Sequence, residues 1–207
     1  MDRRGWLEER KKGIGGSDAS AIIGVNPYKT NVELWEEKTG RRELEDISDK
    51  PYVQYGIAME SILRQSFAVK NPKYIVDYEE NVIIKHPIYP FLFATLDGIL
   101  TNKETGEKGV LEIKTKNFHS DRGKEDWKDG VPDNYFTQIL HYMNVTGTTF
   151  AIVFAELTYS DDYQATKTYL IERKNHEEDI KYLQEKEIEF WKYVNEDKEP
   201  PLLLPEI

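Results

Sequence analysis

Thr95-Leu96-Asp97-Gly98 and Leu111-Glu112-Ile113-Lys114 are the segments that most restrict how this chain can fold. Residues 110–116 alternate, putting Leu111 and Ile113 on one face of a strand and Glu112 and Lys114 on the other. Residues 91–100 are rich in aromatic and β-branched side chains and read as a second strand. The polar, glycine-containing stretch 101–109 between them reads as a turn. A hairpin centred between Glu104 and Thr105 pairs the strands antiparallel and sets Asp97 opposite Glu112. Directly opposed side chains have Cβ atoms roughly 4.5–5.5 Å apart.

Two carboxylates that close repel by about 4 kcal/mol at 4 Å with an effective dielectric of 20. A divalent cation between them removes the conflict. Mg2+ suits the task, because it takes oxygen ligands and commonly sits on one or two carboxylates plus water and substrate phosphate. Lys114, on the same face as Glu112, could then orient or deprotonate an attacking water, or stabilise charge on a phosphate. By spacing alone, a solvated hairpin face with Lys114 neutralising its neighbours is an equal reading.

With 207 residues the chain is long enough for one sizeable core, and a single domain over 1–207 is expected. It contains no cysteine, which excludes disulfides, zinc–thiolate sites, cysteine-ligated iron–sulfur clusters and a cysteine nucleophile. His86, His119, His141 and His176 are scattered without zinc-like spacing and read as structural or solvated. No apolar run approaches the length of a membrane span, and residues 1–6 lack a hydrophobic signal region, so a cytoplasmic protein is expected. A net charge of −10 argues against broad adhesion to nucleic acid but not against a locally basic site. The basic residues Arg3, Arg4, Arg10, Lys11 and Lys12 crowd the start.

Along the chain the expected order is three helices, three strands, a helix, two strands and a helix. Ser17 is a plausible N-cap of a short helix to Gly24, and Thr30-Asn31-Val32-Glu33 forms a capping-box pattern whose helix Gly40 closes. A longer helix within residues 49–70 carries Ile57, Ile62, Leu63 and Phe67 as apolar positions. Residues 74–84 read as a strand, 119–130 as a mobile polar loop, and 150–157 as a buried strand partnered by 165–172. In the final helix Glu187 interrupts the apolar stripe of Ile180, Leu183, Trp191 and Val194. Helices before and after a central mixed sheet make the class α/β or α+β.

Three further clusters bear on chemistry. Glu60 follows a stretch with few charges and is a candidate third carboxylate, able to hold a second metal directly or through water; a solvated helix residue is the plainer reading. Tyr135, Gln138 and Tyr142 share one helix face, where Gln138 could hydrogen-bond a phosphate or a metal-bound water, or where the three form a polar stripe at a helix–sheet boundary. Arg10-Lys11-Lys12-Gly13-Ile14-Gly15-Gly16-Ser17-Asp18 joins a basic run to a helix start, an arrangement that binds anions, although Asp18 would oppose one.

Taken together, residues from about Arg10 to Val145 resemble the YqaJ-type viral recombinase family, which includes phage lambda exonuclease and lies in the PD-(D/E)XK nuclease superfamily. The resemblance rests on Gly13 to Ser20, Gly24-Val25-Asn26-Pro27-Tyr28, Gly56 to Glu60, Asp97-Gly98, Glu112-Ile113-Lys114 and Tyr135 to Gln138, in that order. It implies a restriction-endonuclease-like core, a central mixed sheet flanked by helices, with a Mg2+-dependent site of one or two ions that Mn2+ could replace. Asp97, Glu112 and the Ile113 carbonyl would bind metal, Lys114 would position the water, and Glu60 and Gln138 would complete the site. Arg10 and Ser17 match positions that contact a 5′-phosphate. Thr95-Leu96 stands where the superfamily motif has its proline.

The implied activity is 5′→3′ digestion of one strand of linear double-stranded DNA, leaving a 3′ single strand for an annealing protein. A homotrimeric ring and a phage or prophage origin in a bacterial host come from the same resemblance. A PD-(D/E)XK endonuclease of restriction or repair type, and a catalytically silent DNA-binding protein, are the alternative readings.

Overall fold

The computed structural model describes residues 3–43, 47–118, 121–160 and 163–204, with the side chains of residues 3, 4, 6, 7, 121 and 122 outside that description. The expected contributions of Arg3, Arg4 and His119 therefore lie outside the described residues. Helices α1 (Arg3–Lys11), α2 (Gly16–Ile22), α3 (Asn31–Lys38) and α4 (Pro51–Lys70) come first. Strands β1 (Tyr74–Asp77), β2 (Ile84–Lys85), β3 (Phe93–Ala94), β4 (Gly98–Asn102) and β5 (Lys108–Asn117) follow. Then come α5 (Asp121–Asp126), α6 (Asp133–Thr146), β6 (Phe150–Ser160), β7 (Tyr163–Glu172) and α7 (Glu177–Asn195).

Five strands form one mixed sheet in the order β1-β4-β5-β6-β7, in which only the central pair, β5 and β6, runs parallel. A parallel neighbour needs a crossover, and α5 and α6 supply it. The β4–β5 register pairs Gly98 with Leu111, so one step further Asp97 faces Glu112, as the centred hairpin predicts. The turn closing this hairpin is held by Asn102. Its amide donates to the Glu107 carbonyl (2.9 Å), and its side-chain oxygen accepts from the Glu104 amide (3.0 Å). Gly106 occupies the left-handed region at φ 74°, which glycine adopts without steric cost.

The alternation in β5 sends its residues into two cores. Val110 joins Ala151, Val153, Ala155 and Leu157 under α2, α6 and α7. Leu111 and Ile113 join Ile152 and Phe154 under α4, through Leu63 and Phe67. The expected apolar face of α4 is narrower than the sequence suggests, because Ile57 and Ile62 are exposed. Leu63 and Phe67, one turn apart, face the sheet together, and Ile62 is rotated about 100° from Leu63 around the helix.

The two long strands expected at 74–84 and 91–100 are each divided. β1 and β4 belong to the main sheet, while β2 and β3 pair with one another in a separate two-stranded sheet. The Gly13–Gly15 segment docks there: Ile14 donates to the Phe91 carbonyl (2.7 Å) and accepts from Phe93 N (3.0 Å). A Cβ on Gly13 would lie 2.2 Å from the Phe91 oxygen, so only glycine permits this approach. Residues 3–11, read only as a basic run, form a helix. The region expected as a mobile loop contains α5 and the buried Trp127, whose carbonyl accepts from Tyr169 Oη (2.5 Å) and Lys167 Nζ (3.0 Å).

Glu187, the interruption in the α7 stripe, is fully buried against the fully buried His141 of α6. His141 Nδ1 lies 2.5 Å from Glu187 Oε1, and Nε2 lies 2.8 Å from the Phe93 carbonyl. Both ring nitrogens face acceptors, the pattern of a doubly protonated imidazolium. Burial opposes that charge, but the Glu187 carboxylate and the two hydrogen bonds outweigh it and raise the His141 pKa above its usual value. The pair ties α6, α7 and β3 together. Glu187→Ala leaves a buried cation unpaired and is expected to cost about 3–5 kcal/mol in urea unfolding. That loss should be greatest below about pH 6.5 and shrink as pH rises through the raised His141 pKa. A pH-independent loss under about 1 kcal/mol would show that the pair carries no charge.

Candidate active site

At the edge where β4 begins, the sheet and both helical layers border one cavity of about 680 Å3. β5 contributes Glu112, Ile113 and Lys114, α6 contributes Gln138 and Tyr142, α4 contributes Glu60 and Arg64, and α1 contributes Arg10. Thr95 and Asp97 enter from the link between β3 and β4.

Glu112 is 3% exposed, and its Oε1 accepts from Lys114 Nζ (2.5 Å) and Gln138 Nε2 (2.9 Å). Its other oxygen, Oε2, is buried without a hydrogen-bond partner among the described residues. Gln138 also accepts from Lys114 Nζ (3.1 Å) and donates to Tyr142 Oη (2.8 Å), so one amide orients the carboxylate, the ammonium and the phenol. Lys114 Nζ lies 4.7 Å above the Tyr135 ring. The expected shared face of Tyr135, Gln138 and Tyr142 is therefore turned towards Glu112 and Lys114. Close packing of α2 on α6 holds this layer: a Cβ on Gly16 would sit 2.4 Å from the Tyr142 ring.

Asp97 Oδ2 accepts from the Ile113 amide at 2.7 Å, and Arg64 Nε donates to the Asp97 carbonyl at 2.6 Å. Glu60 lines the same cavity but is paired with Arg64 one helical turn on. Among the described residues no three carboxylates or imidazoles come close enough to hold one ion, so Glu60 does not join Asp97 and Glu112 as a direct third ligand here.

Arg10 brings the N-terminal segment to the same cavity. Its Nη2 donates to Ser17 Oγ (3.2 Å) and its Nη1 to Thr95 Oγ1 (3.3 Å). Ser17 is not the cap of α2: Gly15 precedes the helix, and Asp18 accepts from the Gly15 amide (3.1 Å). Asp18 is also paired with Lys38 at 2.7 Å, so its charge is compensated within the fold. Thr95 and Arg64 are site residues that sequence reasoning did not single out for a role. Arg64 was accessible as the i+4 partner of Glu60. Thr95 carried no local signal, since only the fold brings it to Arg10.

Burial and then the neighbouring Asp97 charge push the Glu112 carboxyl up to about 8. Burial also raises Asp97, against the pull of Lys114 and the Ile113 amide. Burial disfavours the Lys114 ammonium, but Glu112 and Asp97 outweigh it and keep Lys114 charged. Without a cation the carboxylate pair thus retains a proton near neutrality. A buried, partnerless carboxylate oxygen beside a second carboxylate fits a hard divalent cation, which prefers oxygen ligands.

The folded chain holds at Glu112 a proton that an unfolded glutamate releases near its ordinary value of 4.5. Stability from this group therefore falls as pH rises from 4.5 and is fully lost above about 8. Thermal melts in chelator should show Glu112→Gln gaining on the wild type between these limits, and Mg2+ should raise the wild-type melting temperature most at the alkaline end. A constant difference between the two proteins across that range would contradict the assignment.

The geometry can be set beside known proteins. The family model of the YqaJ-like viral recombinase domain matches residues 5–149. Protein YqaJ of Bacillus subtilis (strain 168), itself uncharacterized, is 34% identical over 192 residues, which are 92% of this chain and 56% of that protein. The chain thus spans little more than half the length of this relative. An alkaline exonuclease from Laribacter hongkongensis, LHK-Exo, superposes with a TM-score of 0.70 at 20% identity, covering 94% of this chain and 93% of the enzyme. Its complex with dAMP gives 0.66 at 18% identity over the same shares. A phage-related exonuclease from Haemophilus somnus 129PT gives 0.55 at 16% identity, covering 89% and 94%. At such identities the structures speak to the fold, which this chain shares with the alkaline exonuclease. The family model covers most of the chain, including every expected site residue, and on that ground the chain belongs to the YqaJ-like viral recombinase domain family.

Proposed function

We propose that the protein is a divalent-metal-dependent DNA exonuclease acting in recombination, which digests the 5′-ended strand of linear duplex DNA. The observation that carries this reading is the Asp97–Glu112–Lys114–Gln138 cluster around the buried Glu112 and its partnerless oxygen, in the same cavity as Arg10. Family membership, and the exonucleases that share the fold, support it.

In this reading Asp97, Glu112 and the Ile113 carbonyl would hold Mg2+, with Mn2+ as a substitute, and Glu60 would serve a second ion through water. When bound, the cation would supply Lewis-acid activation of water and charge neutralisation at the scissile phosphate. Lys114 hydrogen-bonds the attacking water and balances charge developing on the phosphate. Gln138 keeps Lys114 and Glu112 aligned. The water oxygen forms a bond to phosphorus as the P–O3′ bond breaks, and the O3′ leaving group takes up a proton. A mononucleotide is released, and the shortened strand retains a 5′-phosphate.

Arg10, with Ser17 and Thr95, offers a guanidinium and two hydroxyls to a terminal 5′-phosphate. Binding there sets the end of the strand relative to the carboxylates, which makes the reaction depend on an end. The 3′ single strand left behind passes to an annealing protein, and three copies surround the duplex; both elements rest on the family resemblance. Among the described residues no helix is long and apolar enough to cross a membrane, consistent with action in a bacterial cytoplasm.

Linear duplexes labelled at the 5′ or 3′ end, with and without a 5′-phosphate, should be assayed beside a closed circle. Loss of 5′-label as mononucleotide and an intact circle are expected, whereas a nicked circle would make the enzyme an endonuclease. Lys114→Ala should lower the Mg2+-dependent rate by about 10²–10³-fold, and full activity in that variant would remove the site assignment. Arg10→Ala should cost about 10–100-fold on 5′-phosphorylated ends and much less on 5′-hydroxyl ends.

A further inference from the structure

Asp97 has an unusual support problem. It follows β3, which belongs to the small sheet, and precedes β4, which belongs to the main one; residues 95–97 lie in no strand. The sheet ladder that holds Glu112 rigid therefore does not extend to the peptide of its partner carboxylate. An ion-binding pair needs both members fixed to within about half an ångström.

Arg64 meets that need. Its side chain is only 14% exposed, and its Nε–H donates to the Asp97 carbonyl at 2.6 Å. Its Nη2 pairs with Glu60 on the same helix, and its Cζ stacks over the Tyr78 ring, 3.4 Å from the centroid. An ordinary i,i+4 ion pair on a helix surface is worth only a few tenths of a kcal/mol and orients nothing else. Here the planar fork is gripped from both sides, by α4 through Glu60 and by the segment after β1 through Tyr78. It spends its remaining defined contact on the main chain of Asp97. A lysine could carry the charge but not the stack and the two-directional fork.

We propose that Arg64 is a positioning residue for the ion-binding pair, holding the Asp97 peptide so that its carboxylate stays opposite Glu112. The proposal rests on the nuclease reading above. Glu60 and Tyr78 act through Arg64 by fixing the guanidinium plane. The Asp97 side chain is then restrained twice, at Oδ2 by the Ile113 amide and at its carbonyl by Arg64.

Calorimetric titration with Mn2+ alone, followed by steady-state digestion of linear duplex, tests this. Arg64→Ala and Arg64→Lys are both expected to bind Mn2+ about 10–100-fold more weakly, as for other groups that orient metal ligands. Under saturating Mn2+, kcat should fall while KM for DNA stays within about twofold. Mn2+ affinity within about twofold of wild type in both variants overturns the proposal, as does a raised KM with unchanged kcat, which would make Arg64 a DNA contact. If neither variant retains a cooperative melt, Tyr78→Leu decides: weakened Mn2+ binding supports the proposal and unchanged binding overturns it. Lys114→Ala separates the two levels. Full digestion by that variant removes the assignment of the catalytic site on which the proposal rests, whereas unaltered Mn2+ affinity in the Arg64 variants removes only the positioning role.

Discussion

Burying two carboxylates side by side is the demand around which this molecule is arranged. Asp97 and Glu112 face one another where β4 begins, with Glu112 buried and Asp97 part-buried between largely apolar layers. The fold answers with the Lys114 ammonium, the Gln138 amide and the Ile113 N–H, and one oxygen of Glu112 is still left over. A buried polar atom without a partner is costly, and this one, beside a second carboxylate in an open cavity, fits completion by a hard cation. The remaining elements can be read as means of delivering those groups: α6 carries the amide, Gly16 lets α2 press α6 inward, and the His141–Glu187 pair clamps α6 against α7 and β3.

The same strand serves packing and chemistry because its two faces are assigned to different layers. Leu111 and Ile113 sit with Leu63 and Phe67, and Glu112 and Lys114 point towards α6. The cavity opens where the strands end, so it borders both layers: Glu60 and Arg64 from one side, Gln138 and Tyr142 from the other. That dual border explains how residues from three helices, separated by more than a hundred positions in the chain, converge on a two-carboxylate centre without distorting the sheet.

Much of this was legible before folding. The alternation at residues 110–116 and the polar turn specified the register that opposes Asp97 to Glu112, and the spacing of Gln138 and Tyr142 specified their common face. What escaped had physical reasons. The division of residues 74–84 and 91–100 between two sheets depends on which partners the strands find, and β-propensity does not encode partners. The narrow buried face of α4 depends on the helix burying Leu63 and Phe67 against the sheet, with Met59 packed beside them. Glu187 looked like a flaw in an apolar stripe, because its counter-ion is 46 residues away in sequence on another helix. Thr95 and Ser17 acquire a common meaning only when Arg10 bridges them.

The turn between β4 and β5 is remote from the cavity, yet the alignment of the carboxylates is set there. Slipping the pairing by one residue would carry Glu112 to the opposite face and leave Asp97 across from a hydrophobic residue. At the cavity end Asp97 stands just beyond the ladder, and its ties are to the Ile113 amide and the Arg64 guanidinium. The other end of the register is set by Asn102 and by Gly106 with its positive φ, four to five strand positions away, roughly 15 Å along the chain direction. A surface turn of ordinary appearance thus acts as the gauge block of the centre, and side chains that forbid a left-handed conformation at position 106 would be read out as misplaced charge at the far end of the hairpin.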